Sequence, residues 1–140
     1  MEENKRELKK RFKMKDLEEV STILGIQVNN IENGIIIHQP IYIDECLERF
    51  GLTNATPVKI PLSTDNKLSE INSQTRILDE HDKNTYQQMI GCLMYLATMT
   101  RPDIMYSVAL LSRFNVQPNE KHLKAAKQVF RYLKQSKDKG

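Results

Sequence analysis

The chain has no tryptophan, two cysteines, and five each of glycine and proline among its 140 residues. Two cysteines, Cys46 and Cys92, are too few for a disulfide-dense scaffold and point to reduced, buried thiols. Five glycines leave no room for a Gly-rich phosphate loop, and no apolar run approaches the roughly 18 residues of a bilayer span. The opening Met1-Glu2-Glu3-Asn4-Lys5 has nothing of a secretory h-region, so the expectation is an intracellular protein with no membrane partner. His38, His81 and His122 show no metal-ligand spacing, and neither cysteine belongs to a C-x-x-C pair. Metal and nucleophile chemistry are therefore not expected of this chain.

What is present suits a single domain or a piece of a larger one. Hydrophobic residues make up 39% of the chain and charged residues 28%, enough for a real core without staples. The net charge of +3 is unevenly spread. Residues 119–140 carry seven Lys/Arg against Glu120 and Asp138, so the rest of the chain is slightly acidic. A basic end of this kind is either a footprint for a polyanion or a solvated helix face.

Hydrophobic periodicity outlines the elements. Glu2 to Lys13 is charge-rich, with Leu8 and Phe12 four apart, and reads as a weakly amphipathic helix. Residues 21–28 and 34–39 are rich in β-branched side chains. They flank Asn29-Asn30-Ile31-Glu32-Asn33-Gly34, a turn ending in an Asn-Gly pair, so a β-hairpin is predicted. After Pro40, the residues Ile43, Cys46, Leu47 and Phe50 recur at helical spacing until Gly51. Residues 53–82 are rich in Pro, Ser, Thr, Asn and Asp and read as a partly mobile surface connection. Three helices follow. The first spans about Asn84 to Met99; the second opens at Thr100-Arg101-Pro102-Asp103 with capping-box spacing; the third runs from about Pro118-Asn119 to Gln135.

Few residues suggest chemistry. Tyr42-Ile43-Asp44-Glu45 resembles the Y-x-D-D signature of polymerases, but it lies inside a helical period with both acids facing out. More telling is the stripe Gln88, Gly91, Tyr95 and Thr98 at i, i+3, i+7, i+10. Glycine inside a helix costs about 1 kcal/mol relative to alanine, so either a neighbouring backbone or a ligand must approach closely there. Tyr95 could lie against a sugar or base edge and hydrogen-bond through its hydroxyl. On the last helix, Lys124, Lys127, Arg131 and Lys134 repeat at the spacing of the apolar stripe Leu123, Ala126, Phe130 and Leu133, one residue on. That row suits phosphate contacts or solvated lysine stems.

The order of motifs resembles the C-terminal part of the reverse transcriptase of Ty1/copia-type retrotransposon Pol polyproteins over nearly the whole chain. The matching blocks include Arg11-Phe12-Lys13-Met14-Lys15-Asp16-Leu17, Leu24-Gly25-Ile26-Gln27-Val28 and Gly34-Ile35-Ile36-Ile37-His38-Gln39. Further blocks are Gly91-Cys92-Leu93-Met94-Tyr95-Leu96, Thr100-Arg101-Pro102-Asp103-Ile104 and Arg131-Tyr132-Leu133-Lys134. The resemblance implies an α+β fold, in which a hairpin from the edge of a polymerase palm precedes a thumb-like bundle of about four helices. Residues 1–39 would be the palm remnant and 40–140 the thumb-like region, with the mobile connection at about 53–82.

By the same resemblance, Leu24 and Gly25 belong to a primer-grip-like hairpin, and the helix with Gln88, Gly91 and Tyr95 tracks the minor groove of a primer–template. Lys124, Lys127, Arg131 and Lys134 then become candidate phosphate contacts. The implied partner is an RNA–DNA or DNA duplex, bound weakly and without sequence preference. Missing palm, fingers or ribonuclease H parts of a polyprotein are further implied partners. The family's Mg²⁺-binding carboxylates have no equivalent here, so no catalytic residue, no metal and no cofactor are expected in this chain. Glu18, Ile23, Leu123 and Lys139 depart from the family's usual Gly, Phe, Trp and aromatic residue. The leading expectation is a reverse-transcriptase fragment that holds primer–template without copying it. The alternative is a transposon remnant that acts as a protein-interaction module or has no function.

Overall fold

The computed structural model describes residues 6, 22–23, 25–63, 68 and 75–137. Of the helix expected over Glu2–Lys13 only Arg6 is described, helical and exposed, and the candidate site residue Leu24 lies outside the described residues. The fold is α+β: among the described residues a small antiparallel sheet precedes four helices. Strand β1 (Thr22–Ile23) pairs with β2 (Ile26–Ile31), and β2 pairs with β3 (Gly34–His38) in the order β1-β2-β3. Helix α1 covers Pro40–Arg49, α2 Glu80–Met99, α3 Met105–Ser112 and α4 Glu120–Gln135. A 3-10 turn at Pro102–Ile104 joins α2 to α3.

The hairpin forms, with a shorter turn than expected. Asn29, Asn30 and Ile31 belong to β2 and pair with Ile36, Ile35 and Gly34, leaving Glu32 and Asn33 as the loop. Gly34 is a strand residue, and positive φ falls instead at Gly25 (79°), between β1 and β2, and at Gly51 (69°), past the end of α1. Ladder pairing satisfies the backbone of the asparagines, which outweighs their preference for turns.

The helices pack where their periodicity directs. Ile43, Cys46 and Leu47 of α1, with Tyr86, Met89, Ile90, Leu93 and Leu96 of α2, are buried with Ile104, Val108 and Leu111. Helix α4 closes the core with Ala126, Val129, Phe130 and Leu133. Helix α2 starts four residues earlier than expected, because the Asp79 carboxylate caps the Asp82 N–H at 2.8 Å. The capping box expected of Thr100 and Asp103 does not form. Thr100 donates its hydroxyl to the side-chain Oε1 of the buried Gln39 at 2.7 Å, and the Asp103 carboxylate faces Arg101. The box appears on α4 instead, where Asn119 accepts from His122 N–H and His122 Nδ1 accepts from Asn119 N–H.

Both described ends of the 53–82 connection are tied to α4. Its last part bridges to the start of that helix through Ile77 and Asn119, and Glu120 N–H donates to the Arg76 carbonyl at 3.0 Å. Leu68 is buried, and its carbonyl lies 2.7 Å from His122 Nε2.

Arg101, 1% exposed, is the most demanding side chain in the interior. Its guanidinium meets both Asp103 oxygens at 3.0 and 2.8 Å, the Ser136 carbonyl at 2.8 Å and the Ser136 hydroxyl at 2.8 Å. Tyr132 donates its hydroxyl to Asp103 at 2.7 Å. Removing one partner of such a cluster strands the others. Arg101→Ala is expected to lower the unfolding free energy by roughly 3 kcal/mol, and Tyr132→Phe by about 1, read from urea denaturation.

Burial lowers the pKa of His122 from its ordinary value of 6.5, so the neutral ring is the folded form. A depressed folded pKa means stability that is complete above pH 6.5 and is lost as the pH falls below it. Thermal midpoints measured across that range are expected to decline in the native chain, and the His122→Gln variant to lack that part of the decline.

Candidate nucleic-acid interface

Helix α2 presents Gln88, Gly91 and Thr98 to solvent, with Tyr95 half-buried beside them. Among the described residues, a Cβ placed on Gly91 meets nothing within 4 Å. Of the two reasons a helical glycine could have, close packing of a neighbouring backbone is thereby removed. The stripe is open, and Thr98 folds its hydroxyl back onto the Met94 and Tyr95 carbonyls at 2.9 and 3.1 Å.

Tyr95 is held by a residue that periodicity alone offers no reason to single out. Tyr42 of α1 meets it edge-to-face, with ring centroids 5.1 Å apart and planes at 73°. The Tyr42 Cβ and Cδ2 also lie 3.9 Å from where a Gly25 Cβ would stand. The hairpin base, α1 and α2 are thus brought together at Gly25, Tyr42 and Tyr95. Arg49, one face along α1 from Tyr42, places Nη1 at 3.6 Å from Cys92 Sγ. A positive charge therefore stands beside Cys92, the residue after Gly91.

Tyr42-Ile43-Asp44-Glu45 behaves as the periodicity requires: Ile43 is buried, and Asp44 and Glu45 are exposed. Asp44 points away from Tyr42 by about 200° of helix rotation and pairs with Lys137 at 3.3 Å. Among the described residues, no three His, Cys, Asp or Glu side chains are grouped to hold a metal ion, and no helix is long and apolar enough to cross a membrane.

The basic row of α4 divides in two. Arg131 donates Nε to the Thr56 carbonyl at 2.6 Å, and Lys134 donates Nζ to the Thr53 and Ala55 carbonyls at 2.6 and 2.9 Å. These two strap the start of the 53–82 connection onto α4, with neutral acceptors that leave their charge in place. Lys124 is exposed and Lys127 half-buried, farther up the helix. Helix α1 stands between the row and the α2 stripe, because Tyr42 and Arg49 line one flank while Asp44 and the Lys134 strap lie at the other. The spacing of the lysines could not show that straps and open cations share one helix.

The sequence profile of the reverse transcriptase (RNA-dependent DNA polymerase) family matches residues 1–64. The retrovirus-related Pol polyprotein from transposon RE1 of Arabidopsis thaliana is 40% identical over 126 residues, 90% of this chain and 8% of that protein. The corresponding polyprotein from transposon TNT 1-94 of Nicotiana tabacum is 37% identical over 134 residues, 93% of this chain and 10% of that protein. The chain belongs to the copia-type retrotransposon reverse transcriptases. A putative transposon Ty5-1 protein of Saccharomyces cerevisiae is 35% identical over 130 residues, 92% of this chain and 41% of its own length. The chain therefore spans a tenth or less of the two plant polyproteins and two-fifths of the yeast protein. No solved structure matches it.

For this reverse-transcriptase stretch, the open glycine has a measurable consequence. Gly91→Ala adds a Cβ into free space and removes backbone entropy from the unfolded chain. It is expected to stabilise the fold by up to about 1 kcal/mol, read as an upward shift in urea midpoint with unchanged m-value. A lower midpoint would mean that the glycine serves packing after all.

Proposed function

We propose that this chain holds a primer–template duplex against the α2 stripe, with nucleotidyl transfer left to other parts of a reverse transcriptase. The observation that carries this reading is the open surface at Gly91, flanked by Gln88 and by a Tyr95 ring braced through Tyr42 to the hairpin base. In this reading the hairpin is the primer-grip edge of a palm and α1 to α4 form the thumb.

The chemistry of the stripe fits the edge of a duplex. A glycine lets a sugar–phosphate ridge approach the helix backbone, which any larger residue would hold away. Gln88 offers an amide donor and acceptor to the minor groove, where the hydrogen-bonding pattern is degenerate, so contacts there carry little sequence preference. Tyr95 supplies a flat face with a polar tip. The exposed Arg49 at Cys92, and Lys124 and Lys127 on α4, supply a salt-dependent attraction to phosphates. The family's two-metal reaction needs paired carboxylates to hold Mg²⁺; Asp44 and Glu45 face solvent on α1 and do not offer that pair.

The palm-edge reading also accounts for β3. Ile35 is 66% exposed, with Ile36 and Ile37 exposed beside it on an edge strand. Such an edge suits cover by further protein, and we assign that role to the remaining palm of the polyprotein.

The test is anisotropy with a labelled RNA–DNA primer–template at several salt concentrations. Binding is expected to weaken with salt. In Lys124→Gln/Lys127→Gln the slope of log K against log salt is expected to flatten by roughly 1 for each phosphate no longer neutralised. Gly91→Leu is expected to weaken binding without lowering the thermal midpoint. The purified chain is expected to incorporate no dNTP with Mg²⁺. Absence of binding at low salt overturns the holding role, and sustained incorporation overturns its separation from catalysis.

A further inference from the structure

Exposed isoleucine is concentrated in the hairpin. Ile35, Ile36 and Ile37 are exposed at consecutive positions of β3. Among the described residues β3 is an outer strand, with β2 on one side and no partner strand on the other. Edge strands ordinarily carry a charge, a proline or a bulge that discourages pairing. Gly34-Ile35-Ile36-Ile37-His38 has no Lys, Arg, Asp, Glu or Pro, and its register with β2 is unbroken.

That register decides which backbone groups point outward. A two-residue loop closes β2 onto β3, so Ile31 and Gly34 exchange both of their hydrogen bonds, and the pairs Asn29–Ile36 and Gln27–His38 do the same. Ile35 and Ile37 stand in the alternate pairs, opposite Asn30 and Val28, and turn N–H and C=O away from β2. The outer edge thus offers two donors and two acceptors. An antiparallel copy of the same strand, related by a two-fold axis through Ile36, sets Ile35 against Ile37 at both ends. Each of those pairs exchanges two hydrogen bonds, and every outward group of the strand is used.

Side chains and charges agree with the same axis. Ile35 and Ile37 of both copies fall on one face of the joined sheet, and the two Ile36 side chains meet on the other. Gly34 stands opposite His38 of the second copy, and Glu32, the carboxylate nearest the strand, falls opposite Pro40. The two Glu32 residues lie at opposite ends of the junction, so no like charges face each other across it.

We propose that β3 is a self-pairing edge through which two copies of this chain join their hairpins into one antiparallel sheet centred on Ile36. The contact is isologous and each copy uses its one β3 edge, so assembly stops at two. In a polyprotein the palm proposed above covers this edge, and self-pairing belongs to the chain where that cover is absent. Three isoleucines per copy make a small interface, below the roughly 1,200 Å² of stable complexes, so a dissociation constant of about 100 µM is expected.

The test is sedimentation velocity of the 140-residue chain from about 1 to about 500 µM, without nucleic acid. Mass is expected to rise from monomer toward dimer and no further. Ile36→Lys sets two like charges opposite each other on the axis and is expected to weaken association by about tenfold or more. Ile35 is the most exposed of the three, and Ile35→Lys is expected to act likewise, with circular dichroism confirming both folds. Mild oxidation of Ile36→Cys is expected to join two copies at position 36, since opposite residues outside the hydrogen-bonded pairs have Cα atoms about 4.5 Å apart. Ile35→Cys faces Ile37 of the second copy and is expected to cross-link more slowly. A chain that stays monomeric to about 500 µM, or that grows beyond a dimer, overturns the proposal. So does unchanged association in both lysine variants, or faster cross-linking at position 35 than at 36. Failure of primer–template binding moves none of these readouts, so the two outcomes are distinguishable.

Discussion

Arg101 carries a full positive charge into the interior, at the corner where α2 turns through the 3-10 segment into α3. A buried guanidinium is tolerated only where its donors are met by acceptors in matching geometry. Asp103 meets it from two residues along the same turn, and Ser136 meets it from the end of α4 with both carbonyl and hydroxyl. The Arg101 hydrogen bonds pull the Asp103 carboxyl down to about 2, and Tyr132 of α4 donates to that same carboxylate. One charge thus fixes the tight corner and the far end of the last helix together. Since α4 also straps the 53–60 segment through Arg131 and Lys134, the position of that segment depends on the same cluster.

With α4 fixed, α1 becomes a divider. One flank gives Tyr42 and Arg49 to α2, and the other gives Asp44 to Lys137. The flank toward α2 joins the hairpin base to the open stripe at Gly91. On the flank toward α4, Arg131 and Lys134 are bonded to backbone carbonyls. These cations serve the chain's own loop before any ligand, which separates them from Lys124 and Lys127.

Much of this was legible in the sequence because burial follows period. Ile43, Cys46 and Leu47, the α2 face from Tyr86 to Ala97, and the α4 face from Ala126 to Leu133 are all buried as their spacing predicts. The hairpin was legible from its β-branched runs, but its turn was not, since asparagine propensity says nothing of which ladder pairs form. Thr100 and Asp103 had capping-box spacing yet found Gln39 and Arg101, partners distant in sequence or held by a buried charge. At the site, Gly91 was visible as an anomaly within a helix. Tyr42 and Arg49 were not, because each acquires its meaning from a neighbour on another helix.

Residue order alone was enough to tell which side chains face the core, that a hairpin precedes helices, and which family the chain resembles. These follow from local periodicity, turn chemistry and motif order, which need no partner in space. It took the packing of one element on another to make Gly91 open rather than enclosed, to turn Arg131 and Lys134 into loop straps, and to bring Arg49 onto Cys92. Distances across helices settle those questions, and they arise from how buried faces of different elements meet.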